Sequence, residues 1–338
     1  MAASAGHRGV LYGAAGGRVS DVRARGSSGR TIDGMRRFLL AATMVALLLP
    51  TPRVEAWGFE AHKFIAEQAI ALLPPELRRL FERERTMFVE HAIDPDLWRN
   101  VGFTDEPPRH FLDLDAYGAY PFDALPRDFD EAVRVHGEEK VRQNGQLPWR
   151  VEEIYDRLFR AFEQVKQGDA PGWTFDNIVY FSSILSHYVG DAHVPFHAVV
   201  SYDGQATNQL GIHSRFETEL FLRTREHLRI RPVPRAPITT PRDSMFDVLL
   251  VSTTLADEVL AADRRAIGSK EYYDDEYFDA FAKGGAQPVL ERRVNEAIAA
   301  VAAIITGAWE AAGKPSLEPP SGPRPPQKRR YVKSGTGE

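Results

Sequence analysis

The chain has 338 residues, 43% hydrophobic and 26% charged, a balance that suits one large globular domain or two small ones. A formal charge of −5 gives no global reason to expect a nucleic acid or an anionic membrane as partner, so any such partner needs a local positive site. Cysteine is absent, which excludes disulfides, thiolate zinc fingers, thiol nucleophiles and a lipoprotein anchor.

Residues 1–34 are rich in Gly, Arg, Ser and Ala, have no apolar period, and read as an extension upstream of a true start at Met35. From there Met35-Arg36-Arg37 gives a basic start and residues 38–49 a continuous apolar run. A short polar piece follows, ending in Val54-Glu55-Ala56. That order is the order of a secretory signal, 35–56, with small residues at the cleavage site. The run is shorter than the roughly 20 apolar residues a bilayer span needs, so no stable membrane insertion is expected. The expected destination is the periplasm or the medium. Cleavage after Ala56 makes Trp57 the first residue of the working protein.

The rest reads as helices. Apolar residues form a helical stripe from Gly58 to Leu73, stopped by Pro74-Pro75, and recur at helical spacing over Val151 to Val165 and Val289 to Trp309. Residues 174–189 and 244–263 read as two more helices. No long stretch alternates apolar with polar residues, so few or no strands are expected and the fold class is all-α: a single multi-helix domain over 57–312. Stretches 94–128 and 199–212 are expected to be long loops. The Pro-rich basic tail, 313–338, is expected to be disordered for want of apolar residues to pack.

The chemistry concentrates in SHYVGDAHVPFHAVVSYDGQATNQLGIHSRFETE, which holds His187, His193, His197 and His213. His187 and Asp191 are four residues apart, as are His213 and Glu217, so each pair shares a helix face. One such pair alone is more often a surface pair worth a few tenths of a kcal/mol. Two pairs with His197 between them offer more imidazole and carboxylate donors than one zinc ion needs. Pro195 breaks the helix after Asp191, and the turn there can bring His197 back over the first two donors.

HYVGDAHVPFH followed by HSRFE resembles the signature of the zinc-dependent phosphoesterase superfamily that joins the type I single-strand nucleases of fungi and plants with the bacterial zinc-dependent phospholipases C. Members of that family begin with Trp once processed, and Trp-Gly-x-x-x-His fits Trp57 to His62. PRHFLDLD resembles the family's His-Phe-x-Asp element, which implies that His110 is a ligand and that Phe111 and Asp113 touch substrate. DPDLWR resembles the segment with the earliest acidic ligand. Asp94 and Asp96 compete there, and Asp96 is preferred because Arg99 follows it by three residues. The resemblance implies three zinc ions. Asp96, His110, His187 and Asp191 would hold one. Asp191 would bridge to a second, held by Trp57, through its amine and carbonyl oxygen, and by His62. His197, His213 and Glu217 would hold the third. His193 is read as standing behind the ligands, and His91, His136 and His227 as surface residues.

The activity so implied is phosphodiester hydrolysis, with the metal ions activating a water, Asp96 orienting it or taking its proton, and Arg99 gripping the phosphate. Single-stranded nucleic acid or nucleotides are the first expected substrate. Phospholipid, cleaved by a phospholipase C, is the second, favoured by Glu217 in place of Asp. A helical protein in which zinc only stabilises the fold is the third.

Overall fold

The computed structural model describes residues 58–168 and 170–318. The upstream stretch, the expected signal, Trp57 and the tail from residue 319 lie outside the described residues. Among the described residues no strand forms, and the protein is an all-α domain. Six helices suffice to locate the site: α1 (Phe59–Ala69), α2 (Asp94–Asn100), α3 (Leu147–Lys166), α4 (Trp173–Ala192), α5 (Pro241–Ile267) and α6 (Gln287–Ala311).

α4 is the axis. It packs against α1, α2, α3, α5 and α6, and from Ser182 to Ala192 every residue is buried. A helix that is buried all round must satisfy or pair each polar group it carries. His187 and Asp191 are therefore core residues, 0% and 1% exposed, and not a solvated surface pair. α3, α5 and α6 each start a few residues before the apolar periodicity predicts, because Pro148, Pro241 and Pro288 occupy the first turn. Proline fits there, since its missing N–H would have no partner anyway. Much of the buried face of α6 is alanine, and this lets neighbouring chain approach closely. Gly307 takes this furthest: a Cβ there would fall 1.9 Å from the Ile238 carbonyl oxygen.

Two expectations need correction. Residues 94–128 are not one long loop, since α2 opens them. Asp94 and Asp96 lie in its first turn, where carboxylates favour the partial positive charge of the helix end. The tail is also not disordered from Gly313. Pro315 and Leu317 are buried, and Trp309 Nε1 donates to the Pro315 carbonyl at 3.0 Å. Two apolar residues and one indole hydrogen bond are enough to fasten the segment up to Glu318.

Candidate metal centre

Side chains from α1, α2, the 110–113 segment, α4, the turn after it and a helical run at 212–224 converge at the C-terminal end of α4. Three groups each bring donor atoms within 4.8 Å of one another: His62, His187 and Asp191; Asp96, His110 and His187; His197, His213 and Glu217. Asp191 divides its two oxygens. Oδ1 lies 3.3 Å from His62 Nε2, and Oδ2 lies 3.0 Å from His110 Nδ1 and 3.3 Å from His187 Nε2. One His187 nitrogen cannot serve two ions. Its Nε2 lies 3.1 Å from His110 Nδ1, which assigns it to the Asp96 and His110 group. Asp191 is left reaching from that group to His62.

Backbone carbonyls fix the rings. His187 Nδ1–H donates to Ala92 O at 2.9 Å and His197 Nδ1–H to His110 O at 2.5 Å, so each ring turns its Nε2 inward. The chain 110–114 lies along 197–198, with Leu112 N–H donating to His197 O and Leu114 N–H to Ala198 O. His110 is thus in two groups at once: its ring belongs to one, and its carbonyl steadies the other. The turn at Pro195 does not fold His197 back over His187 and Asp191. It carries His197 to His213 and Glu217, whose run is a π-helix over Arg215–Leu220. Gly58 donates its N–H to Thr218 Oγ1 at 3.0 Å, one residue from Glu217, and a Cβ on Gly58 would meet the Thr218 methyl at 2.9 Å. That contact is why glycine follows Trp57 in the sequence.

The acidic choice at the start of α2 has a structural answer. Asp94 is occupied by His91, 2.9 Å from its Nδ1, and by the Tyr180 hydroxyl at 3.2 Å. Asp96 is 2% exposed and belongs to the donor group, with Arg99 Nη2 3.3 Å from its Oδ1 at the rim. Asp113 is buried, its Oδ1 has no hydrogen-bond partner, and burial, with Asp115 beside it, pushes its carboxyl up to about 7. Phe111 is half-buried. Neither residue is among the grouped donors. His193 does not stand behind the ligands. Two residues beyond Asp191, it points about 200° round the helix, donates Nδ1–H to Val189 O at 2.7 Å, and lines a different cleft. His227 is exposed, while His91 and His136 are partly buried, His91 against the Asp94 carboxylate and His136 through Nε2 to the Ala124 carbonyl.

Glu106 was not anticipated. It is 2% exposed, accepts from the Tyr188 hydroxyl and from Arg109, and lies 3.7 Å from His110 Nε2, the ring nitrogen turned away from the donor group. At that distance Glu106 is a charged neighbour of the ring and not its hydrogen-bond partner, and His110 Nε2 is buried without one. The signal was available: Glu106 and His110 have the same four-residue spacing as the two pairs already noticed, with the acid first.

These residues fit a hard-to-borderline divalent cation. Asp96 Oδ2, His197 Nε2, His213 Nε2 and Glu217 Oε2 are buried without a hydrogen-bond partner. His213 Nε2 and Glu217 Oε2 are 2.9 Å apart, but not in hydrogen-bond geometry, as expected of donors aimed at a common point. Protons take up the electrostatic slack in the chain alone. Burial opposes charge on Asp191, but His187, His197 and His110 outweigh it and hold the carboxyl well below its usual range. Burial likewise opposes charge on His197 and Glu217. Asp191 and Glu217 nevertheless raise His197 to about 9, and His213 and His197 lower Glu217 to about 2. His62 moves the other way, lowered by burial and then by His187.

In comparison with known proteins, the chain matches no family model and no curated sequence.

Proposed function

We propose that the protein is a zinc-dependent phosphodiester hydrolase acting on single-stranded nucleic acid. The observation that carries this reading is the convergence of eight buried or nearly buried His, Asp and Glu side chains, from segments as distant as His62 and Glu217, on the end of one core helix. With His187 assigned to the Asp96, His110 and Asp191 group, His62 and Asp191 face the second position and His197, His213 and Glu217 the third, so two positions have three described protein donors or fewer, as a catalytic zinc site needs and a closed structural one does not. Zinc held there supplies Lewis acidity toward a phosphoryl oxygen and lowers the pKa of water.

The chain's own residues do the rest. Asp191 spans two groups and fixes their separation. Asp96, anchored through Arg99 at the mouth, is positioned to orient a water or take its proton. Arg99, 38% exposed at its side chain, is free to turn toward a phosphate and bind it through two N–H groups. Phe111 offers a ring face to a base, and the unpartnered Asp113 oxygen an acceptor or donor to its edge. The family resemblance further implies a liberated Trp57 amine as a donor beside His62 and Asp191. Such an amine titrates near 7.7–8.0 and gives up its proton to a cation at little cost.

The deciding experiment supplies the zinc-loaded chain, processed at Trp57, with single-stranded DNA, RNA and phosphatidylcholine micelles. Cleavage of the nucleic acids, abolished by chelator and restored by zinc, is the expected result. Hydrolysis of the lipid without cleavage of nucleic acid would make the protein a phospholipase C. Zinc uptake without hydrolysis of any substrate would leave the metals a structural role.

A further inference from the structure

Across α4 from the metal centre lies a groove of about 720 Å³ that shares no residue with it. One wall is the segment 228–238, held along α6. Arg229 N–H donates to Glu291 Oε2 at 3.0 Å, Arg231 N–H to Asn295 Oδ1 at 2.6 Å and Ile238 N–H to Ala303 O at 3.0 Å. Pro232, Pro234 and Pro237 have no N–H and a fixed φ, which keeps the segment extended between these ties. Alternate residues of an extended chain face one way. Here Arg229, Arg231, Val233 and Arg235 all line the groove, and the three guanidinium groups have no carboxylate partner among the described residues.

The floor is buried and also positive. Arg293, 2% exposed, donates to the carbonyls of His193 and Val248 at 2.8 and 3.2 Å and to Ser252 Oγ at 2.7 Å. The acids nearby are already engaged. Glu296 pairs with Arg292 and Arg293, Asp247 with Arg127, and Glu291 takes the Arg229 N–H. The groove is therefore net positive on a chain of net charge −5.

A solvated basic face would need nothing more, but the floor also holds an unused polar atom. His193 is 1% exposed, its Nδ1–H is given to Val189 O, and its Nε2 is buried with no partner. Such an atom is costly unless a ligand or water meets it. Val233, Val248, Val251 and Ala299 add apolar surface between the charged ends, and the volume falls within the range of small-molecule sites.

We propose that this groove binds a small organic phosphate, its phosphate held by Arg229, Arg231 and Arg235, its body against the valines and one of its O–H or N–H groups on His193 Nε2. The site does not depend on the hydrolase reading and stands or falls separately from it.

The test is calorimetric titration of the zinc-loaded chain with adenosine 5′-monophosphate, with inorganic phosphate and with phosphatidylglycerol vesicles, each against wild type and the surface variant Arg231→Ala/Arg235→Ala. Thermal melting checks that the variant is folded. Any nucleotide bound at the metals is common to both proteins and cancels. The expected result is one equivalent of nucleotide that weakens at least about tenfold in the variant, with inorganic phosphate weaker than the nucleotide in wild type because it brings no body to the apolar wall. Three results would overturn the proposal: equal nucleotide binding by the two proteins, inorganic phosphate binding as tightly as the nucleotide, or vesicles bound through the arginines while the nucleotide is not.

Discussion

Asp191 is the side chain on which the candidate metal centre turns. Its two oxygens face different groups, so Asp191→Asn, which keeps the shape and loses the charge, is expected to lower bound zinc by at least one ion and remove most hydrolysis. Elemental analysis of the purified variant reads the first and substrate turnover the second. Glu106 acts one step back, as a charged neighbour of His110. Glu106→Gln is expected to weaken zinc binding about 10–100-fold while leaving the helical circular dichroism unchanged. His197 contributes one part of the pH dependence of the metal-free chain. Its folded pKa, about 9, lies above its ordinary value near 6.5. The stability it contributes is therefore complete below that ordinary value and is lost as pH rises through about 9. Melting temperatures of the metal-free protein should fall over that interval. At neutral pH, zinc must displace the His197 proton, which calorimetry in buffers of different ionisation enthalpy registers as proton release. At this scale much was legible. Motif spacing singled out His187, Asp191, His213 and Glu217, and the Arg99 spacing favoured Asp96. Glu106 and the aim of His193 were not read, because each depends on which nitrogen of a distant ring faces inward.

At the scale of elements, apolar periodicity located the long helices but placed their starts late, since the first-turn prolines carry no apolar signal of their own. The short helix α2 was hidden for a related reason: seven residues are too few to show a period, and Asp and Pro at its start are also what a loop would show. What periodicity could not convey is that α4 is buried on every side, which turns an ordinary His and Asp pair into a core group in need of a partner. Close approach of backbones is equally silent in the sequence. Gly307→Ala would drive a methyl into the Ile238 carbonyl, and the cost is expected to be about 1–3 kcal/mol, read as a lowered denaturation midpoint. The same change would loosen the arginine-bearing segment from α6. Nucleotide binding in the groove should then fall with it while zinc content stays constant.

Taken whole, the molecule has no disulfide, and the donor groups join α1, α2, α4 and the 212–224 run where a crosslink would otherwise serve. Chelation is expected to lower the melting temperature by more than any single core truncation, and re-addition of zinc to restore it, because the ligation free energy is stability for these elements. An extra residue ahead of Trp57 should reduce zinc stoichiometry without changing the helical fold; an unchanged count would remove the terminal amine from the ligand set. His110 adds one more consequence. Its imidazole and its carbonyl oxygen serve different donor groups, so seating an ion against the ring also sets the orientation of His197. Occupancy of the two positions is then linked, and by reciprocity each ion favours the other equally. Loading should rise more steeply with zinc concentration than for independent positions, and half-filled molecules should be scarce at every stage of the titration.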